Sequence, residues 1–184
     1  TQKYLDYGWK FLKKNDSILW LLEDNFFSEK NLMIEAKKND VDPKRIIFGK
    51  KLPLNEHLSR IKFADLFLDT SPYNAHTTCS DALRQSIPVV TLAGQSFASR
   101  VATSLLTTLN LKELITFNHS DYEKLVIKIS NEPEYLNQLK EKIKKNKIKT
   151  NLFKTDVFTK NIENAYLKIF QNYIDGNKIK NFEL

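Results

Sequence analysis

A histidine, two threonines and an aspartate stand together where an apolar run gives way to a helical pattern. Residues 66–70 end in a loop that contains His76, and Thr77, Thr78 and Asp81 follow at the start of a predicted helix. The first N–H groups of a helix lack partners, and the helix dipole adds positive charge there. With two hydroxyls beside them, these groups suit a diphosphate, and Asp81 could accept hydrogen bonds from sugar hydroxyls. A purely structural explanation also fits, with Thr77 as the helix cap and Asp81 as a favourable charge.

A second junction of this kind follows the apolar run at residues 45–49. His57 and Arg60 are three residues apart in the helical stretch beyond it and therefore share one helix face. A flat imidazole and a guanidinium there could stack on, or hydrogen-bond to, a planar base. Alternatively, His57 is a surface residue and Arg60 pairs with Glu56 or Asp65.

Other site classes find little support in the sequence. The chain has no Walker A loop, no G-x-S-x-G, no H-E-x-x-H and no GxGxxG fingerprint. His57, His76 and Asp81 match no metal-binding spacing, so we expect no metal. Gly94 lies in a third strand-to-helix loop, where it either permits a tight turn or lets the backbone approach a ligand.

The elements that must position these residues are short apolar runs alternating with helical patterns. Strands are predicted at residues 17–23, 45–49, 66–70, 87–92 and 113–116. Helices are predicted at residues 31–39, 55–64 (beginning at Asn55), 78–86, 96–109, 120–130, 133–147 and 156–173. Continuous apolar strands separated by helices are typical of parallel sheets buried on both faces.

This pattern predicts an α/β fold with an open, doubly wound parallel sheet, which binds ligands at the carboxyl ends of its strands. The last helices have no strands between them, so we expect them to wrap one face or to pack on another lobe. The domain is predicted to span residues 1–173, with a flexible tail at 174–184.

Composition narrows the possible partners. The 184 residues are 41% hydrophobic, which suits one compact domain or one lobe of a larger protein. The net charge of +7 would allow a basic RNA-binding domain, but the lysines concentrate on what look like exposed helix faces, so we expect no nucleic acid. No apolar run is long enough to span a membrane, and no membrane partner is expected. The single cysteine, Cys79, excludes an internal disulfide and favours a cytoplasmic location.

Two longer segments carry a resemblance. RIIFGKKLPLNEHLSRIKFADLFLDTSPYNAHTTCSDAL and PVVTLAGQSFASRVATSLL resemble the second half of the catalytic region of the O-GlcNAc transferase/SPINDLY family, glycosyltransferase family 41. The likeness runs from about residue 9 to residue 170. It implies the C-terminal, Rossmann-like lobe of a GT-B enzyme, with an N-terminal catalytic lobe and tetratricopeptide repeats elsewhere in the full-length chain.

The implied reaction is inverting transfer of a sugar from UDP, expected to be N-acetylglucosamine, to Ser or Thr hydroxyls of a protein acceptor, with no cofactor. By position, His76, Thr77 and Thr78 would bind the diphosphate and adjacent ribose, and Asp81 would hold ribose hydroxyls. The family's phosphate-binding lysine would precede residue 1, and its acceptor-side histidines would belong to the other lobe. We therefore expect this lobe alone to be inactive.

On the base side, the resemblance implies that His57 packs on uracil, that Arg60 lies near its edge and that the backbone around Leu52 reads the base. Leu54 departs from the family pattern, because animal enzymes carry a ribose-contacting lysine there. This departure leaves an alternative open, namely a non-catalytic nucleotide-sugar-binding or scaffold domain of the same fold.

Overall fold

The structure is a computed structural model that describes residues 8–13 and 16–177. The described strands are β1 (Leu19–Leu22), β2 (Ile46–Gly49), β3 (Phe67–Leu68), β4 (Val89–Leu92) and β5 (Ile115–Thr116). Residues 8–13 are helical. The main helices are α1 (Phe26–Lys38), α2 (Leu54–Ile61), α3 (Thr77–Arg84), α4 (Val101–Thr108), α5 (His119–Asn131), α6 (Pro133–Lys149) and α7 (Thr155–Ile174).

All described strand pairs are parallel, as the alternation of strands and helices predicted. β1 pairs with β2, and β4 lies between β3 and β5. The registers place Leu19 opposite Ile46, Phe67 opposite Val89 and Thr91 opposite Ile115. Because β3, β4 and β5 run in the same direction, the loops that follow them emerge at one edge of the sheet.

The main hydrophobic core surrounds β4, whose four residues are all buried. Leu83, Leu106, Ile129 and Ile143 of the surrounding helices are fully buried against it, and Ile61 of α2 joins the same cluster. Burial on both faces was predicted for every strand and is wrong for β1 and β2, where Leu22 and Ile47 remain exposed. A smaller cluster beneath these two strands contains Trp9, Leu12, Ala36, Val41 and Ile46.

Five helices start earlier than their apolar periodicity predicted, α1 by five residues and α2, α3, α5 and α7 by one, whereas α4 starts later, at Val101 rather than at residue 96. α1 begins at Phe26 because Asn25 caps it, its side chain accepting a hydrogen bond from the N–H of Ser28. α2 begins at Leu54 rather than Asn55, with Pro53 at the capping position and no side-chain cap bond. Exposed apolar residues at these starts break the amphipathic pattern from which the boundaries were inferred.

The basic helix α6 is fastened to the rest of the domain by its own lysines. Lys140 pairs with Asp65 at 2.8 Å, and Lys142 pairs with Glu113. Lys147 donates a 2.6 Å hydrogen bond to the carbonyl of Arg84. Three lysines of this basic helix therefore have partners within the domain. Within residues 8–13 and 16–177, no helix has the length and apolar character needed to cross a membrane.

The last helix, α7, has no buried residue. Phe158, Ile162, Tyr166 and Phe170 are between 37% and 66% exposed, and their spacing of four places them on one face. This apolar face packs on no core within the described part of the chain, and its packing on another lobe stays a prediction. Most of the predicted tail, residues 178–184, lies outside the described residues.

Candidate functional site

A buried aspartate marks the carboxyl end of β3. The Asp69 side chain accepts two hydrogen bonds of 2.6 Å, one from the N–H of Ala75 and one from the hydroxyl of Thr91 on β4. Its carbonyl accepts a third bond, at 2.9 Å, from the hydroxyl of Tyr122. Burial raises the pKa of Asp69, and the bonds from Ala75 and Thr91 oppose that rise. Asp69 thus fixes both ends of the loop between β3 and α3.

Asn74 joins this loop to the loop that follows β4. The side chain is buried and donates to the carbonyl of Thr70 at 2.9 Å, while the Asn74 N–H donates to the carbonyl of Ala98 at 2.8 Å. The hydroxyl of Thr70 donates to the carbonyl of Tyr73 at 3.1 Å. The site is therefore built from two loops at adjacent strand ends.

The helix that carries the two threonines starts without a side-chain cap. His76 occupies the capping position, so the structural explanation that Thr77 caps α3 is wrong. The intrahelical bonds begin with the Ser80 N–H donating to the His76 carbonyl at 3.1 Å. Thr77 and Thr78 are exposed, and within the described part of the chain their hydroxyls make no hydrogen bond. The amide end of α3 is thus open to a ligand, with Asp81 half-buried one turn further on.

An open cavity of about 370 Å³ lies where this helix meets the end of β3. Asp69, Tyr73, Asn74, His76 and Thr78 contribute to its lining. His76 Nε2 and Asn74 Oδ1 are shielded from solvent and have no hydrogen-bond partner among the described residues. Because buried polar atoms are rarely left unpaired, these two atoms suggest a site completed by a polar ligand.

Two exposed aromatic rings flank His76, and the sequence prediction included neither. The Tyr73 ring stacks on the imidazole with centroids 4.8 Å apart, and the Phe97 ring meets its edge at 6.0 Å. Asp69 and Asn74, which brace the loop, were also not predicted to have a role. An acid directly after an apolar strand and an aromatic residue three positions before a histidine are the patterns that could have indicated them.

At the β2–α2 junction, Arg60 makes contacts that the sequence did not predict. Its Nη1 donates to the carbonyl of Lys50 at 2.8 Å, and its guanidinium lies 4.9 Å from the centre of the Trp20 ring. Arg60 pairs with neither Glu56 nor Asp65. The arginine therefore holds the start of the loop between β2 and α2, and a role at the edge of a base stays a prediction.

The remaining base-side residues lie at the same junction. Leu52 and His57 are half-buried, and Leu54 is 65% exposed. None of them lines the cavity at the end of β3, which brings together His76 and Thr78 with residues of the β3 loop. Their contact with a base stays a prediction.

Gly94 proves to be a packing position. A Cβ at this residue would lie 2.3 Å from Ser99 Oγ, and the Gly94 N–H donates to the Ser99 carbonyl at 2.9 Å. The glycine therefore lets the turn at 96–99 fold back on the end of β4, in agreement with the tight-turn alternative, and an approach of its backbone to a ligand stays a prediction. Within residues 8–13 and 16–177, no group of three His, Cys, Asp or Glu side chains could hold a metal ion.

The parallel strands, in one sheet of two and one of three, define an α/β protein, and the cavity at the carboxyl end of β3 lies where Rossmann-like folds bind their ligands. Residues 3–162 match the profile of Glycosyl transferase family 41, and the chain belongs to this family. This confirms the resemblance found in the sequence.

Relatives and a solved structure agree with this assignment. The chain is 35% identical over 127 residues to the UDP-N-acetylglucosamine--peptide N-acetylglucosaminyltransferase of Caenorhabditis elegans. The matched residues make up 69% of this chain and 11% of that protein. It is 30% identical over 170 residues to the Arabidopsis thaliana protein named Probable UDP-N-acetylglucosamine--peptide N-acetylglucosaminyltransferase SEC, covering 92% of this chain and 17% of that one. A mutant O-GlcNAc transferase of Thermobaculum terrenum superposes with a TM-score of 0.85 and 26% identity, covering 92% of this chain and 34% of that one. The chain thus spans less than a fifth of both sequence relatives.

Proposed function

We propose that this chain is the UDP-sugar-binding lobe of an inverting protein O-glycosyltransferase that transfers N-acetylglucosamine from UDP to Ser or Thr hydroxyls. Membership of the family and the activity in the names of both relatives support this proposal. The observation that carries it furthest is the uncapped amide end of α3, which opens beside the cavity at the end of β3.

The chemical contribution of the lobe is stabilisation of the leaving group. As the bond between sugar and phosphate breaks, negative charge grows on the diphosphate. The N–H groups and hydroxyls of Thr77 and Thr78 would interact more strongly with this larger charge in the transition state than with the charge on the diphosphate in the ground state. Because the loops around them are braced by Asp69 and Asn74, these donors need little reorganisation during the reaction.

The nucleoside would extend from the diphosphate toward the β2–α2 junction. Asp81 lies one turn into α3, where its carboxylate could accept hydrogen bonds from ribose hydroxyls. His57 would stack on uracil and the backbone around Leu52 would read its edge. Arg60 would act there by holding the Lys50 carbonyl and so fixing the shape of the loop.

The rest of the machinery is proposed to lie elsewhere in a longer protein. An N-terminal catalytic lobe would supply the acceptor side, and tetratricopeptide repeats would recruit the protein acceptor, in the cytoplasm. The diphosphate charge would be met by amides and hydroxyls, without a metal or a further cofactor. On this account the 184-residue chain binds UDP but does not transfer sugar.

The test has two steps. Calorimetric titration of the 184-residue chain with UDP should show binding, with UMP bound more weakly because it lacks one phosphate. A transfer assay with UDP-N-acetylglucosamine on the complete protein should then show modification of Ser or Thr. Binding without transfer by the complete protein would favour the scaffold alternative, which the exposed Leu54 keeps open. Absence of UDP binding would contradict the proposal itself.

A further inference from the structure

Tyr73 and Phe97 place large aromatic rings at the protein surface, beside His76. Tyr73 is 65% exposed and Phe97 is 83% exposed, so neither ring owes its position to burial in the core. Both nevertheless contact the same imidazole. Tyr73 stacks on His76 with an interplanar angle of 15°, and Phe97 approaches it at 87°. These are the offset-stacked and edge-to-face arrangements that aromatic pairs prefer.

The backbone that carries Tyr73 and the backbone that carries Phe97 are held by hydrogen bonds in which the two rings take no part. The Tyr73 carbonyl accepts the Thr70 hydroxyl, and the next residue, Asn74, bonds through its N–H to Ala98, which follows Phe97. The two aromatic residues are therefore carried by loops that are tied to each other. Both rings therefore project toward His76 from a backbone that these bonds hold in place.

His76 needs such support because little else holds its ring. The residue caps α3, its side chain makes no capping bond, and Nε2 has no hydrogen-bond partner among the described residues. An imidazole that no hydrogen bond holds can rotate about its side-chain bonds unless packing prevents it. The stacked Tyr73 ring supplies that packing in the cavity where the diphosphate is proposed to bind.

We infer that Tyr73, assisted by Phe97, is a positioning residue that orients the His76 imidazole toward the diphosphate of the donor. This inference rests on the proposed function and goes beyond it by giving the orientation of His76 a physical cause. The ring face of Tyr73 carries the effect, so phenylalanine at this position should preserve it and leucine should abolish it.

The experiment compares Tyr73→Leu, Tyr73→Phe and Phe117→Leu with the wild-type 184-residue chain. Phe117 is a matched control, because it is 77% exposed at the end of β5 and makes no ring contact among the described residues. One readout is the NMR spectrum of the His76 imidazole, assigned with His76→Gln among the three histidines. The other is the dissociation constant for UDP.

We expect Tyr73→Leu to move the His76 resonances toward those of a solvated histidine and to weaken UDP binding by about 2- to 12-fold, the loss of one stacked pair. Tyr73→Phe and Phe117→Leu should leave both readouts at wild-type values. Unchanged resonances or unchanged affinity in Tyr73→Leu would overturn the inference, as would an equal loss in Tyr73→Phe. If the wild-type chain bound no UDP, the proposed function itself would fail. If the wild-type chain bound UDP but Tyr73→Leu did not change the readouts as expected, only the inference about Tyr73 would fail.

Discussion

The hydroxyl of Thr91 donates a 2.6 Å hydrogen bond to the carboxylate of Asp69, joining two adjacent strands at the edge where the cavity lies. Both residues are buried, and the other carboxylate oxygen of Asp69 accepts the N–H of Ala75 at 2.6 Å. One side chain therefore ties β4, β3 and the loop leading to the helix with the two threonines. The geometry of the candidate site depends on this carboxylate although it is not proposed to touch the ligand.

Removing that carboxylate should destabilise the domain. We expect Asp69→Ala to lower the free energy of unfolding by about 2–4 kcal/mol, because the Thr91 hydroxyl and the Ala75 N–H lose their acceptor. Asp69→Asn should cost less, since its amide can accept from Ala75 and donate to the Thr91 oxygen. Urea unfolding of both variants measures the difference. Equal losses would show that the two bonds do not determine the stability of this edge.

The buried carboxylate also predicts a pH dependence. Burial raises the pKa of Asp69 above its ordinary value of 3.8, so the folded chain holds this proton more tightly than the unfolded chain. The resulting stabilisation is complete below pH 3.8 and is lost as pH rises through the raised pKa. Wild type should therefore lose stability relative to Asp69→Asn over that interval. A pH series of urea unfolding tests this, and a difference independent of pH would contradict it.

The sequence was sufficient to predict the strands and helices whose apolar residues form the hydrophobic core. The apolar run at 87–92 becomes the fully buried β4, and the alternation of runs and helices indicated parallel pairing correctly. It also placed His76 and Thr78 at a strand end, where they line one cavity. These features follow from local composition and periodicity, which can be seen in a single sequence even when no long-range contact is known.

The features that were missed depend on contacts between distant residues. Arg60 lies against Trp20 and bonds to Lys50, and no local pattern distinguishes that arrangement from a surface ion pair. Gly94 is required by Ser99, which packs where its Cβ would be. The stack of Tyr73 on His76 likewise depends on the geometry of a loop, which residue types alone do not determine.

Gly49 should be intolerant of a side chain. A Cβ there would lie 2.4 Å from Trp20 Nε1 and 3.2 Å from Arg60 Nη1, so Gly49→Ala must displace the indole that covers the arginine. We expect a loss of about 1–3 kcal/mol in the free energy of unfolding, typical of overpacking. Gly8→Ala is the matched control, because its added Cβ meets nothing within 4 Å. Chemical unfolding of both variants checks the prediction, and comparable stabilities would contradict the packing account.

The two threonines should matter for catalysis rather than for stability. If the complete protein transfers sugar as proposed, Thr77→Ala combined with Thr78→Ala should lower that transfer by about ten- to a thousandfold, as loss of donors to a developing anion does. Unfolding free energy should change little, because both hydroxyls are exposed and make no bond within the described residues.

A control for this pair exists in α4. Thr107 and Thr108 are also adjacent and exposed, and their hydroxyls donate to the carbonyls of Thr103 and Ser104. Replacing both with alanine should leave transfer at the wild-type rate. If the Thr77 and Thr78 double variant stayed within twofold of wild type, the assignment of the diphosphate site would be wrong.

The most direct measurement is a crystal structure of the chain with UDP at saturating concentration. The account predicts diphosphate oxygens within about 2.7–3.2 Å of the N–H groups of Thr77 and Thr78, in the cavity at the end of β3. A nucleotide bound at another surface, or a cavity that stays free of UDP under these conditions, would contradict it.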